Sequence, residues 1–133
     1  MTVGIVNFAK HLNEYEVVAE ADAEKLMPGR WAIYRMYNDG TGYCYKYLDD
    51  GTRIYYGDIH GLDFTQREEK PESTKWEVKD GYVYDFLKTP YNLLDLGYEG
   101  CYLLYDTTEN GGLDDSFVMI RLDEENKPLV NLE

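Results

Sequence analysis

Histidine, cysteine and serine are scarce in this chain, and their scarcity argues against several kinds of site. The 133 residues include two histidines and two cysteines, and the only serines are Ser73 and Ser116. Neither serine lies in a Gly-x-Ser-x-Gly motif, and Cys44 and Cys101 belong to no CxxC or Cys/His cluster. We therefore expect no catalytic serine and no metal site. Buried free thiols in a reducing compartment are the expected state of the cysteines, and a disulfide is the alternative if the chain is exported.

Basic residues are also few, because 13 Lys and Arg stand against 26 Asp and Glu, a net charge of −13. Nucleic acids and anionic membranes are bound through Lys and Arg, so direct binding to either is not expected. Residues 85–133 hold eleven acids and three bases, a net of −8, whereas residues 1–84 hold fifteen acids and ten bases, a net of −5. This excess favours a basic protein partner, although acidity also keeps a protein soluble.

Long hydrophobic runs are absent. The first 21 residues contain no basic segment followed by an apolar run, so we expect neither a signal peptide nor a membrane span. The expected location is the cytoplasm, either of the cell that encodes the chain or of a host cell.

Tyrosine and Asp-Gly pairs are the abundant features. Most of the 14 tyrosines lie in alternating runs, where aromatic side chains pack well on a pleated sheet. Asp39-Gly40, Asp50-Gly51 and Asp80-Gly81 separate such runs. Asp-Gly favours a hairpin turn because glycine adopts positive φ without steric cost. The pattern predicts seven or eight strands, with bounds Trp31–Tyr37, Tyr43–Leu48, Thr52–Tyr56, Thr74–Lys79, Tyr82–Leu87, Tyr91–Leu96, Gly100–Asp106 and Ser116–Leu122.

Strands joined in chain order by short turns predict a mainly β fold. We expect a single antiparallel meander that closes into a small barrel or a curved half-barrel, because closure removes exposed edges. The helical spacing of Ile5, Phe8, Ala9 and Leu12 predicts an N-terminal helix, and a later turn starting at Asp22 precedes Pro28-Gly29. One domain is expected, comprising a helical cap (1–28), the sheet or barrel (29–122) and an acidic tail (123–133).

The segment from Leu26 to Trp31 (LMPGRW) is a helical turn followed by Gly-x-Trp at the start of a strand. Together with the later Asp-Gly turns and a Trp-x-Val strand, it resembles small lipocalin-like (calycin-type) barrels over about residues 26–122. The resemblance implies a tryptophan packed across the barrel floor and a cavity for a small apolar ligand. On this alternative, the residues near the cavity are Trp31, Trp76, Tyr84 and Phe86.

The segment Gly57–Gly61 (GDIHG) resembles the first metal-binding motif of metallophosphoesterases. The other motifs of those enzymes are missing, and His11 is the only histidine besides His60. We therefore interpret Gly57–Ser73 as a polar loop in which Asp58 caps a turn. No metal or other cofactor is expected.

Size, charge and tyrosine content together favour a non-enzymatic, acidic binding protein. Such a protein docks on a basic partner, as phage-type inhibitors of host defence nucleases and toxin-immunity proteins do. The carboxylates and tyrosines expected to make the contact are Asp106, Glu109, Asp114, Asp115, Asp123, Glu124 and Glu125, with Tyr98, Tyr102 and Tyr105. An enzyme is the least favoured class.

Overall fold

The computed structural model describes residues 16–35, 41–60, 72–85, 89–108 and 112–129. These residues form nine strands and one helix. In chain order they are β1 (Glu16–Val17), α1 (Glu20–Leu26), β2 (Gly29–Arg35), β3 (Thr41–Tyr47), β4 (Thr52–His60), β5 (Glu72–Lys79), β6 (Tyr82–Asp85), β7 (Thr89–Tyr98), β8 (Cys101–Asp106) and β9 (Gly112–Leu122).

Strands β2 to β9 form a closed, eight-stranded antiparallel barrel. Each strand pairs with its neighbour in the chain, and β9 pairs back onto β2, with Met119 opposite Ile33. The short strand β1 adds to β7, with Val17 opposite Leu94. Because the ends of the sheet are joined, the expected mainly β meander is confirmed in its closed form.

Two of the three predicted Asp-Gly turns lie within the described residues, and both join paired strands. Asp80 and Gly81 have φ of 54° and 85°, the two positive values that a type I′ hairpin between β5 and β6 requires. Gly51 has φ of 88° between β3 and β4. The third turn, Asp39-Gly40, lies outside the described residues.

Ring contacts across the barrel show which strand face is the interior. Strands two positions apart in a sheet are separated by about 9.6 Å, so their side chains meet only on the concave face. Three edge-to-face ring pairs join such strands: Trp31 with Tyr102 at 5.8 Å, Tyr47 with Trp76 at 5.5 Å, and Tyr91 with Phe117 at 6.1 Å between centroids. Inward-facing aromatic residues therefore form much of the core.

The opposite faces of several strands are also apolar and buried. This second cluster comprises Ala32, Cys44, Ile59, Leu94, Leu96, Cys101, Leu103, Val118, Ile120 and Leu122. It lies on β2, β3, β4, β7, β8 and β9, and it contains no residue of β5 or β6. The barrel is thus asymmetric, with both faces of its strands buried on one side.

The helix differs in detail from the prediction. It follows β1 and begins at Glu20 after Ala19, which makes no side-chain capping bond, so Asp22 lies within the first turn rather than at its cap. Pro28 and Gly29 end the helix as expected, and β2 starts at Gly29. The helix predicted around Ile5 to Leu12 lies outside the described residues.

The predicted loop from Gly57 is wrong in its first four residues. Strand β4 continues to His60, with Asp58 opposite Tyr43 on β3. Gly57 has φ of 112°, and the register of β3 and β4 shifts between Tyr43 and Tyr45. A β-bulge therefore lets the strand run through a glycine that sequence reasoning treats as a terminator.

The two cysteines are buried free thiols, as expected. Cys44 lies opposite Ala32, Ala32 opposite Ile120, and Ile120 opposite Cys101. Three strand spacings separate the two Cα atoms by roughly 14 Å, about twice the reach of a disulfide. The barrel geometry therefore excludes a bond between them.

Burial of these thiols predicts a loss of stability at high pH. Burial, followed by the nearby Asp95, raises the pKa of Cys101 from its ordinary value of 9.0 to about 11. The neutral thiol is favoured in the folded chain, so its contribution is complete below pH 9 and is lost as the pH rises through 11. We expect the gap in unfolding free energy between the parent and Cys101→Ala to shrink by about 2 kcal/mol between pH 8 and pH 11 in urea titrations. If plots of unfolding free energy against pH stay parallel for the two proteins, this expectation is contradicted.

Candidate functional sites at the two ends of the barrel

One end of the barrel is closed by helix α1 through two side-chain bonds. The indole Nε1 of Trp31 donates to the carbonyl of Met27 at 2.8 Å. The guanidinium of Arg121 donates to the carbonyl of Leu26 at 2.8 Å and lies 4.9 Å from the ring centroid of Trp31. These bonds satisfy carbonyls at the helix C-terminus and attach the helix to the barrel floor.

This closed end also carries the exposed large hydrophobic side chains of the described residues. They are Val17, Tyr98 and Leu129, with exposed fractions of 52%, 58% and 44%. Val17 lies on β1, Tyr98 is at the end of β7, and Leu129 packs beside Gly100 in the β7–β8 turn. Tyr98 and Leu129 flank the same turn, and Val17 lies opposite Leu94, farther back along β7. Exposed apolar groups on one part of a surface indicate an interaction site more strongly than scattered ones do.

Carboxylates surround these apolar side chains. Glu16 pairs with Asp95 in register, and Glu99 follows Tyr98 in the turn. We call this surface the acidic end, and we define it by the exposed residues Glu16, Val17, Asp95, Tyr98, Glu99, Glu124, Glu125 and Leu129. An open groove of about 620 Å³ adjoins it between α1 and β8.

Two cations near the acidic end, Arg30 and Lys127, contact groups of the chain itself, and Lys25 lines the adjoining groove. Arg30 donates to the carbonyl of Glu124 at 2.9 Å and to the side chain of Asn126 at 3.0 Å. Lys127 lies 3.2 Å from the carboxylate of Glu125, in a pair that is largely exposed to water. The surface therefore presents a net negative charge together with apolar anchors.

The structure brings only some of the predicted contact residues together. Tyr98, Glu124 and Glu125 are exposed at the acidic end. Asp123 lies beside them, where its carboxylate accepts the backbone N–H groups of Lys127 and Glu125, and these bonds lower its pKa. Asp123 thus shapes the turn that presents the two glutamates.

Other predicted contact residues are packed against the barrel rather than free at its surface. Asp106 is 6% exposed, and its carboxylate accepts the N–H and hydroxyl of Thr108 at 2.9 and 2.7 Å. Tyr102 packs on Trp31 inside the barrel, and burial raises its pKa. Tyr105 packs against the second apolar cluster. Glu109 and the side chains of Asp114 and Asp115 lie outside the described part of the structure.

The other end of the barrel contains a cavity of about 200 Å³. We call it the arginine pocket, and it is lined by Ile33 and Arg35 of β2, Tyr43 and Tyr45 of β3, Arg53 of β4, Tyr91 of β7, and Phe117 of β9. The guanidinium of Arg53 lies 4.1 Å from the Tyr45 ring centroid, and that of Arg35 lies 5.7 Å from the Phe117 centroid. Two cations and several aromatic rings therefore share one small space.

The residues predicted to surround a ligand cavity do not line this pocket. Trp31 is fully buried in the floor, and Trp76 donates its indole N–H to the carbonyls of Leu48 and Thr52. Tyr84 pairs with the exposed Glu77, on the face opposite the buried Val83. Phe86 lies outside the described residues.

The alternation of residues along β2 and β4 indicates that Arg35 and Arg53 face the inside of the barrel. Arg35 lies an even number of residues from Trp31 and Ile33 on β2, and so does Arg53 from Tyr55 on β4. Each arginine is therefore expected on the same face of its strand as these residues. A basic residue at an inward position is unusual in an acidic chain, because burying a charge is costly unless it is compensated. The sequence prediction missed both arginines because it assigned the cavity to aromatic residues and the contact surface to acids and tyrosines.

The first four residues of the GDIHG segment, Gly57 to His60, lie on β4, where Asp58 accepts a hydrogen bond from the hydroxyl of Tyr55. Within the described residues, no group of three His, Cys, Asp or Glu side chains is arranged to hold a metal ion.

Comparisons with protein-family models, with curated proteins and with solved structures found no match to this chain. The closed eight-stranded barrel is consistent with a calycin-like architecture. Among the described elements, no helix has the length and apolar character needed to cross a membrane.

Proposed function

We propose that this protein is a non-enzymatic binding protein that docks its acidic end on a basic partner protein. The carrying observation is that the exposed large hydrophobic side chains of the described residues, Val17, Tyr98 and Leu129, all lie toward the helix-capped end of the barrel, with exposed carboxylates next to them in the sheet or in the chain. Apolar anchors supply affinity at the centre of an interface, and charges around them select and attract the partner.

The net charge of −13 favours this assignment of the partner. A field of that sign attracts a basic surface over several ångströms and repels acidic proteins and nucleic acids. Inhibitors of nucleic-acid-handling proteins, including phage-type inhibitors of defence nucleases and toxin-immunity proteins, bind such basic surfaces. The proposed contact set is Val17, Tyr98 and Leu129, with Glu99, Glu124 and Glu125, in a cytoplasm where the partner is also present.

A direct test begins with capture of partners from a host lysate at low salt and elution with a salt step. The eluted basic protein is then titrated with purified variants by calorimetry. We expect Tyr98→Ala to weaken binding by about 2 kcal/mol, as for a central aromatic anchor. Reversing Glu124 and Glu125 to lysine is expected to slow association and to reduce the salt dependence of the affinity.

Glu77→Lys provides the matched control, because Glu77 is an exposed acid on β5 and is not one of the residues that define the acidic end. Like each lysine substitution at Glu124 or Glu125, Glu77→Lys replaces a negative charge with a positive one. It is expected to leave the affinity for the partner nearly unchanged. The proposal fails if the captured partner binds the acidic-end variants as tightly as the parent, or if its affinity is the same at low and high salt.

The sequence also suggested a binder of a small apolar ligand, and the arginine pocket bears on this alternative. Two guanidinium groups line a cavity of about 200 Å³. A wholly apolar ligand would remove water from these charges without replacing its hydrogen bonds, which is unfavourable. The arginine pocket therefore does not favour a wholly apolar ligand.

A further inference from the structure

The arginine pocket lies at the opposite end of the barrel from the acidic end, and the docking proposal leaves it without a role. Its position follows from pairing: Arg35 is opposite Phe117 at the C-terminal end of β2, whereas Gly29 begins the strand at the end near the helix. A site there would operate independently of a partner bound at the acidic end.

The Arg53 guanidinium is held in a defined position inside the barrel wall. Arg53 is 3% exposed, its Nε donates to the hydroxyl of Thr74 at 3.0 Å, and its guanidinium carbon lies 4.1 and 5.9 Å from the ring centroids of Tyr45 and Tyr47. A guanidinium held in this way loses little further entropy when it binds an anion, and its fork matches a carboxylate.

Arg35 supplies a second, more accessible cation at the mouth. Its side chain is exposed while its guanidinium carbon remains 5.7 Å from the Phe117 ring centroid. One cation is therefore fixed within the pocket and the other is at the rim, an arrangement in which an anion can be contacted from two sides.

The walls of the pocket are flat and its volume is small. Tyr43, Tyr45, Tyr91 and Phe117 contribute rings, and Ile33 forms the apolar base. A volume of 200 Å³ equals the liquid volume of about seven waters, which suits a molecule with one ring and one anionic group. Aromatic walls favour a planar ring over an aliphatic one of the same size.

We propose that the arginine pocket binds a small aromatic carboxylate. The carboxylate lies between the guanidinium groups of Arg35 and Arg53, and the ring lies against Tyr43 and Phe117. This inference stands apart from the docking proposal, because it concerns the other end of the barrel and a small molecule rather than a protein.

Benzoate is the test ligand, titrated into the full chain by calorimetry and by backbone amide NMR. We expect saturable one-to-one binding, with amide shifts centred on Ile33, Tyr43 and Phe117. Benzyl alcohol has the ring without the charge, and cyclohexanecarboxylate has the charge without the flat ring. Both are expected to bind at least about fivefold more weakly than benzoate.

Arg35→Met tests the cation that can be removed with least risk to folding. We expect it to weaken benzoate about tenfold or more, because hydrogen bonds to charged groups are the strong ones. Arg30→Met is the matched control, since Arg30 lies at the acidic end and is expected to leave benzoate affinity unchanged. Arg53→Lys retains the charge but loses the planar fork, and weaker binding is expected there too.

The proposal is overturned if benzoate shows no saturable binding up to about 10 mM, well above the dissociation constant of a weak millimolar site. It is also overturned if either analogue binds as well as benzoate, if Arg35→Met binds like the parent, or if the amide shifts centre on the acidic end. Each of these results leaves the docking proposal intact.

Discussion

Replacing Trp31 with alanine is expected to destabilise the protein by about 3–5 kcal/mol, the range for removing a large aromatic side chain from a core. The side chain is fully buried, packs edge-on against Tyr102 and donates to the carbonyl of Met27. The substitution therefore opens a cavity in the barrel floor and leaves a helix carbonyl without its donor. Total stabilities of such domains are about 5–15 kcal/mol, so the variant should be close to unfolding.

Urea unfolding followed by fluorescence measures this effect, because Trp76 remains as a buried reporter on the far side of Tyr47. Trp31→Phe retains a ring but not the donor to Met27, and its loss should be smaller. Tyr98→Ala is the surface control and is expected to change stability by less than about 0.5 kcal/mol. A Trp31→Ala variant as stable as Tyr98→Ala would show that Trp31 does not hold the floor.

Replacing Gly29 with alanine is expected to cost about 3 kcal/mol, from backbone strain and steric overlap together. Gly29 has φ of 132°, a conformation that side chains disfavour. A Cβ added there would also overlap the guanidinium of Arg121, which bonds to the carbonyl of Leu26. The alanine methyl would therefore displace the arginine that attaches helix α1 to the barrel.

Gly97→Ala separates the two contributions. Gly97 also has positive φ, at 83°, but an added Cβ would meet no atom within 4 Å, so only strain of about 1 kcal/mol is expected. In an Arg121→Ala background, the cost of Gly29→Ala should fall toward that same value, because the overlapping group is gone. If the stability losses of Gly29→Ala and Arg121→Ala simply add in the double variant, the steric account is refuted.

Local chemistry explains why much of the fold was predictable. Strands β2 to β9 were each predicted, with explicit period-two alternation in β3, β5 and β6, and two Asp-Gly turns have the positive φ that the dipeptide favours. These signals act over a few residues and require no knowledge of distant contacts. The errors occur where a bulge at Gly57 extends β4, and where pairing with β7 makes a strand of Glu16 and Val17.

The candidate sites were less predictable, because exposure depends on what lies across the sheet. Asp106 resembles its acidic neighbours in sequence, yet it is buried and bonded to Thr108. Tyr102 and Tyr105 flank Leu103 and Leu104 on β8, and each packs against a different apolar cluster. Composition identified an acidic, tyrosine-rich chain, but it could not sort these side chains into surface and core.

The sequence by itself determined the strand order, the hairpin turns and the opposed faces of each strand, because all three arise from neighbouring residues. Only the tertiary structure decided which face is concave, since Trp31 and Ala32 are both buried although they face opposite ways. That choice depends on curvature, and curvature depends on the pairing of β2 with β9, about ninety residues apart. The same closure places Arg35 and Arg53 in one pocket and gathers Val17, Tyr98 and Leu129 at the other end.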